Sequence, residues 1–229
     1  MPVISDSKFH IDGQSLDFNL IPQFESFPQA DKKYIYICVA KVCSTSINRT
    51  LGHRYHPEPK YHHMGIEELA SYYPDLELSE YFKFAFVRNP WDRLISVYHD
   101  FLNRRNGKER IMNYSGLLKK EDTIYYRSDG FEDFCFRFAE SDWVNEHHHR
   151  PQIDYLTIDG KISVDFIGRF ENVAEDWQKV CEAVGVQLPL GHARASSGRK
   201  SYRDYYNNET RDCIAEVYKK DIEEFDYEF

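Results

Sequence analysis

The chain has 229 residues, 41% of them hydrophobic and 16% aromatic, which is enough for one packed domain and too apolar for a disordered chain. A formal charge of −9 argues against a general nucleic-acid binder, while leaving room for a local basic pocket that holds a small anion. The five cysteines are odd in number and include no CxxC pair, so neither a disulfide framework nor a zinc knuckle is indicated, and free thiols suit a reducing compartment. The opening "MPVISDSKFHIDGQSLDFNL" shows no basic region followed by an apolar run, and no stretch reaches the roughly 18 apolar residues of a membrane span. A cytoplasmic protein without a membrane span is therefore expected.

In chain order, residues 1–30 carry weak periodicity and are expected to wrap a single domain, 1–229, as an N-terminal arm. "KYIYICVA" (33–40) has the β-branched and aromatic character of a buried strand. Ser44 is placed to cap a helix over 45–52 that ends near Gly52. A His- and Pro-rich loop (53–64) leads to a short helix, "GIEELASYY", and "YFKFAFVR" (81–88) is a second strong strand. Asn89 and Pro90 then open a long helix, since proline at the first helical position loses no hydrogen bond. Residues 106–128 are polar and are expected to form a surface loop or short helices, followed by an amphipathic helix "FEDFCFRFAE" whose aromatic stripe is core. Residues 153–170 suggest a hairpin turning at Asp159-Gly160 and a buried strand, then the helix "ENVAEDWQKVCEAVGV" and one C-terminal helix over 209–225. Strands alternating with helices predict an α/β fold with a central parallel sheet flanked by helices. Ligands of such sheets sit beyond the carboxyl ends of the strands.

Two strand-to-helix turns lie at those ends. The first places Lys41, Val42 and Cys43 and the hydroxyls of Ser44, Thr45 and Ser46 at a helix N-terminus, where free N–H groups and the helix dipole attract phosphate. The GxxxxGK[ST] pattern of a nucleoside-triphosphate loop is absent, and no acidic metal partner is identifiable. Side-chain donors suit a single phosphate better than a triphosphate with its magnesium ion; an ordinary turn is the alternative. In the second turn, "FVRNPWDRLISVYHDF" (86–101), Arg88 ends the strand and Ser96 lies in the helix. The pair could bind a second phosphate. Alternatively, Arg88 pairs with Asp92 and Ser96 packs.

Together, "AKVCSTS" and "FVRNPWDRLISVY" resemble the carbohydrate-type sulfotransferases that use 3′-phosphoadenosine-5′-phosphosulfate (PAPS). The resemblance continues in "HHRPQIDYL", "DFIGRFENVAEDWQKVCEAVGV" and the C-terminal stretch, covering residues about 34–229. It implies a P-loop-like, nucleotide-kinase-like fold, PAPS as sulfuryl donor, adenosine 3′,5′-bisphosphate as product, no metal, and a hydroxyl-bearing acceptor such as a carbohydrate or small metabolite. In the family's pattern the 5′-phosphosulfate loop falls on Lys41–Ser46 and the 3′-phosphate element on Arg88 and Ser96. The basic loop "SSGRKSYRDYY" adds Arg199, Lys200 and Tyr202 as nucleotide contacts. Departures are Ala40 where proline is common and Cys43 where small residues are usual. A Lys-His segment of the family matches "KYHHMGIEEL", which makes His63, with His62 beside it, the candidate base; a neutral imidazole suits that task near pH 7.

"EHHHRPQ" (146–152) invites a metal reading. Three consecutive side chains seldom converge on one ion, and no obvious partner completes a site, so surface structure is the expectation for His147–His149, with acceptor or nucleotide contacts next. The rivals to a sulfotransferase are a P-loop-type kinase, which would need a glycine-rich loop and magnesium, and a non-catalytic nucleotide-binding module of the same fold.

Overall fold

The computed structural model describes residues 8–11, 14–17, 28–29, 33–53, 63–106, 111–113, 116–118, 124–191 and 200–229. In chain order its elements are β1 (Lys8–Ile11), β2 (Gln14–Asp17), β3 (Tyr34–Ile37), α1 (Ser44–Leu51), α2 (Ile66–Tyr72), β4 (Phe82–Val87), α3 (Pro90–Asn106), β5 (Ile111–Asn113), β6 (Gly116–Leu118), α4 (Ile124–Arg127), α5 (Gly130–Ala139), α6 (Ile153–Leu156), β7 (Thr157–Ile158), β8 (Lys161–Ile162), β9 (Phe166–Arg169), α7 (Val173–Val184), α8 (Asn208–Val217) and α9 (Lys219–Phe225).

The apolar runs YIYI and FKFAFV become neighbours in a three-stranded parallel sheet of order β3-β4-β9. A parallel strand is covered on both faces, which is why these segments are continuously apolar and not alternating. Every residue of β3 is buried, and so is β4 beyond its first residue. Lys83 interrupts the apolar run of β4. Its ammonium donates to the Tyr81 carbonyl at 2.9 Å and the Leu78 carbonyl at 3.2 Å and pairs with Asp165 at 2.7 Å, so the buried charge is satisfied. Gly168 in β9 has no room for a side chain, since a Cβ there would meet the Phe86 ring at 2.4 Å.

One core packs on this sheet, with Ile47 and Leu51 of α1, Ile66 and Leu69 of α2, and Trp177 and Val180 of α7. A second core joins Trp91, Leu94 and Phe101 of α3 to Phe134 and Phe138 of α5 and Ile214 of α8. Of the aromatic stripe of α5, Phe134 and Phe138 are thus core and Phe131 packs against it, as expected, whereas Phe136 is exposed. The hairpin at Asp159-Gly160 is also present, with φ of 50° and 72°, as a two-residue turn with both φ positive requires.

Three details differ from expectation. The polar 106–128 stretch contains an antiparallel hairpin, because its apolar pieces pair, Ile111 with Leu118 and Met112 with Leu117. The C-terminal helix is two helices, broken at Tyr218. The break sets Tyr218 and Asp221 against residues 149–153, where both are used as described below. The proposed arm falls mostly outside the described residues, and its described parts form the antiparallel β1–β2 pair.

Candidate active site

The chain leaves β3 at its carboxyl end and curls into α1. Lys41 and Cys43 both have positive φ, 66° and 44°. That backbone costs a non-glycine residue roughly 1–2 kcal/mol. The loop therefore reaches a left-handed curl without glycine, holding strain of the kind that clusters at functional sites. Cys43, not Ser44, holds the cap position of α1, and no side chain caps that end. Ser44 is the first helical residue and is buried, so its expected capping role is corrected. Its position is set by loop closure, which overrides its local preference for a cap. Val42 is also buried, while Thr45 and Ser46 are half-buried. Burial pushes the Cys43 thiol up to about 12 against the opposing pull of Arg88, which keeps it protonated at neutral pH. The Lys41 ammonium lies 3.0 Å from Asp100 of α3.

At the second turn, Asn89 caps α3, its side-chain oxygen accepting from Trp91 N at 3.2 Å and Asp92 N at 3.3 Å. Arg88 is buried. Its guanidinium meets Asp92 Oδ2 through Nε at 2.8 Å and Nη2 at 2.6 Å, and Nη1 donates to the Lys41 carbonyl at 3.2 Å. Phe170 lies under it at 4.1 Å. The pairing with Asp92 left open by the sequence is thus present, together with a bond that ties this turn to the first. Ser96 is half-buried on α3.

A third segment closes on these turns. Gln152 pairs with both backbone groups of Arg88, accepting from its N–H at 2.9 Å and donating to its carbonyl at 2.8 Å. Asp221 receives the Gln152 and Ile153 N–H groups at 2.8 and 2.9 Å. Arg93, fully buried, donates to the carbonyls of His149 and Arg150 at 2.8 and 2.6 Å, and the Tyr218 hydroxyl donates to His149 O at 2.7 Å. This framework sets the histidines beside the first turn.

His63, at φ 54°, is buried, with Nδ1 2.9 Å from the Cys38 carbonyl. Arg150 reaches its carbonyl at 3.2 Å while gripping Glu68 at 2.9 and 3.0 Å. The His63 ring stacks on His147 at 5.5 Å and meets His148 edge-on at 5.6 Å. Buried Glu146 lies behind them, its Oε1 2.9 Å from His148 Nδ1 and its Oε2 2.6 Å from His149 Nδ1. Burial alone would raise the Glu146 carboxyl, but His148 and His149 override it and hold it well below the usual carboxylate range. Burial lowers His148 despite the pull of Glu146, and both His149 and the nearby Lys41 ammonium push it the same way. The imidazole is thus held neutral near the loop lysine.

Residues 25–228 match a family model described as "Sulfotransferase family". The chain belongs to that family. A carbohydrate sulfotransferase 14 of Danio rerio is 32% identical over 114 residues, covering 47% of this chain and 31% of its own. An uncharacterized protein of Archaeoglobus fulgidus is 29% identical over 125 residues, 54% of this chain and 83% of its own. A carbohydrate sulfotransferase 9 of Homo sapiens is 27% identical over 169 residues, 66% and 38% respectively. The chain thus spans about a third of the length of these two named relatives. No solved structure matches it.

Within this member of the family, the expected site residues fall into distinct groups. Lys41–Ser46, Arg88 and His63 share one end of the sheet. Tyr202 lines a cavity of about 380 Å³ with Asn89, Asp92, Arg169, Glu171 and Arg203. Lys200 is exposed, and His62 and Arg199 lie outside the described residues. The surface reading of "EHHHRPQ" is corrected: Glu146, His147 and His149 are buried, and His147 and His148 meet His63. His149 instead faces the second core, where the Tyr125 hydroxyl bonds its Nε2. Glu146, within the same motif, was the available signal for an acid-held imidazole.

Proposed function

We propose that the chain is an enzyme that moves a sulfuryl group from PAPS to an acceptor hydroxyl, with the carbohydrate class favoured for the acceptor by its similarity to carbohydrate sulfotransferases. The observation that carries the proposal is the joining of the two turns, Arg88 to the Lys41 carbonyl, with the half-buried His148 imidazole near the lysine. On this reading the strained 41–46 turn is P-loop-like and takes the 5′-phosphosulfate, and Arg88 and Ser96 take the 3′-phosphate. These donors fit the nucleotide: an uncapped helix start and a lysine for one phosphate, a planar guanidinium for the other. When bound, PAPS supplies the activated sulfuryl group.

His63 accepts the proton of the acceptor hydroxyl as its oxygen bonds to sulfur. The bond from sulfur to the 5′-phosphate oxygen breaks, and its electron pair leaves with adenosine 3′,5′-bisphosphate. Lys41 stabilises that growing charge, and positioning supplies most of the remaining rate, as in phosphoryl transfer. Leaving the Asp100 carboxylate for the phosphate is within reach of the long lysine stem.

Isothermal titration tests the donor. Adenosine 3′,5′-bisphosphate is expected to bind at least tenfold more tightly than ATP with magnesium. Equal or tighter ATP binding would favour a kinase and sink the proposal. Labelled PAPS offered with a panel of hydroxylated sugars and metabolites then reads the acceptor.

A further inference from the structure

We propose that His63, His147 and His148 form a binding site for one divalent transition metal ion of the zinc class, held by three imidazoles with Glu146 and the Cys38 carbonyl behind them. One ring nitrogen of each histidine lies within 4.8 Å of the other two. Ligands at about 2.1 Å around a tetrahedral ion sit roughly 3.4 Å apart, so the set closes by side-chain shifts on the order of 1 Å. The rings are already arranged for this. Three imidazoles on such an ion place their centroids on the order of 5 Å apart. The separations here are 5.5 Å for His63–His147 and 5.6 Å for His63–His148; the 4.0 Å His147–His148 pair is the one that must open.

The contacts behind the rings are those that metal-ligating histidines use. His63 Nδ1 is 2.9 Å from the Cys38 carbonyl and His148 Nδ1 is 2.9 Å from Glu146 Oε1, both hydrogen bonds, while His147 Nδ1 lies 3.0 Å from that same oxygen without hydrogen-bond geometry. A hydrogen on Nδ1 of His63 and of His148 fixes the tautomer whose lone pair is on Nε2, and a small ring rotation brings His147 Nδ1 into the same bond with Glu146. A carboxylate or carbonyl at the far nitrogen both orients the ring and strengthens it as a ligand. Glu146 also offers a buried negative charge that offsets part of the charge of the ion. An all-imidazole set selects zinc, copper, nickel or iron over magnesium or calcium, which require oxygen ligands. Three protein ligands leave a fourth position for water or a substrate oxygen.

The site and the base share one lone pair. On the sulfotransferase reading, an ion on His63 prevents that ring from accepting the acceptor proton, so metal occupancy and transfer exclude one another. This consequence rests on that reading; the metal binding does not.

The metal-depleted 229-residue chain titrated with Co²⁺ tests the site, since four-coordinate cobalt absorbs strongly in the visible range, and Zn²⁺ should then displace it. One equivalent is expected. His147→Ala and His148→Ala should each weaken binding at least tenfold, and Glu146→Gln by roughly 10–100-fold. No visible band at one equivalent, or wild-type affinity in both histidine variants, overturns the site. Zinc X-ray absorption on the unsubstituted protein decides the matter even if a variant fails to fold: three imidazole nitrogens support the site, and a shell of oxygens or sulfurs overturns it. A zinc-loaded protein that still transfers sulfate at full rate would refute the role of His63 as base while leaving the site in place.

Discussion

The two strand-to-helix turns stand side by side at the carboxyl end of the sheet, yet they hold their cations in opposite ways. In the first, strain is in the backbone, at Lys41 and Cys43, and the lysine carries its charge on a long stem that is 16% exposed and rests against Asp100. In the second, the backbone is conventional, with an Asn89 cap and Pro90 opening the helix, and the guanidinium is fixed between Asp92, the Lys41 carbonyl and Phe170. A cation that can follow moving charge suits chemistry, and a planar cation held in one place suits recognition. On the proposed function, substitutions in the first region should therefore act on kcat, and those in the second on nucleotide affinity.

The largest effect is expected at the base that the first region faces. His63→Ala should lower kcat by roughly 10²–10⁴ with bisphosphate affinity nearly unchanged, read by turnover and titration on the same preparation. Near-normal turnover would move the base elsewhere, with His148, held by Glu146, as the next candidate. Next comes the lysine. Lys41→Ala should lower kcat by about 10²–10³, the usual effect of removing one donor to developing charge, and should change affinity less. A loss confined to nucleotide affinity would erase the proposed difference between the turns.

How much of this arrangement is legible in the sequence follows from what each part depends on. The parallel strands are legible because burial on both faces writes itself as YIYI and FKFAFV. The long helix after Pro90 and the Asp159-Gly160 turn are legible because local backbone rules decide them. The start of α1 is misread, since Ser44 is a favourable cap by local preference while the loop imposes a left-handed Cys43 in that place. Of the histidine cluster the sequence shows only the run EHHHRPQ, and its convergence with His63 cannot be seen from spacing. It exists because Gln152 bonds the end of β4 and Arg150 grips the carbonyl of His63, and both contacts link residues far apart in the chain.

The second turn offers a smaller and sharper test. Arg88→Ala should weaken adenosine 3′,5′-bisphosphate binding by about 1.5–3 kcal/mol, the range for hydrogen bonds to charged groups, and leave AMP, which lacks the 3′-phosphate, unaffected. Asp92→Asn makes the complementary change. It removes the carboxylate that now occupies the guanidinium and should tighten the bisphosphate relative to AMP. Weaker bisphosphate binding in Asp92→Asn would mean that the ion pair orients Arg88 for the ligand and does not compete with it. Equal losses for AMP and bisphosphate in Arg88→Ala would remove the arginine from the 3′-phosphate.

The smallest effect is expected at Ser96. It lies on α3 beyond Asp92, on the same helix that carries the carboxylate partner of Lys41, and its side chain is half-buried. Ser96 offers one uncharged donor where Arg88 offers several charged ones, so Ser96→Ala should weaken the bisphosphate by about 1.5 kcal/mol, the low end for a hydrogen bond to a charged group and below the loss at Arg88. Alanine has the higher helix propensity, so thermal unfolding should hold steady or rise slightly, which separates ligand loss from helix damage. The deciding quantity is again the ratio of bisphosphate to AMP affinity. If that ratio stays at its wild-type value while Arg88→Ala lowers it, the serine only packs in α3 and the 3′-phosphate is read by the arginine without it.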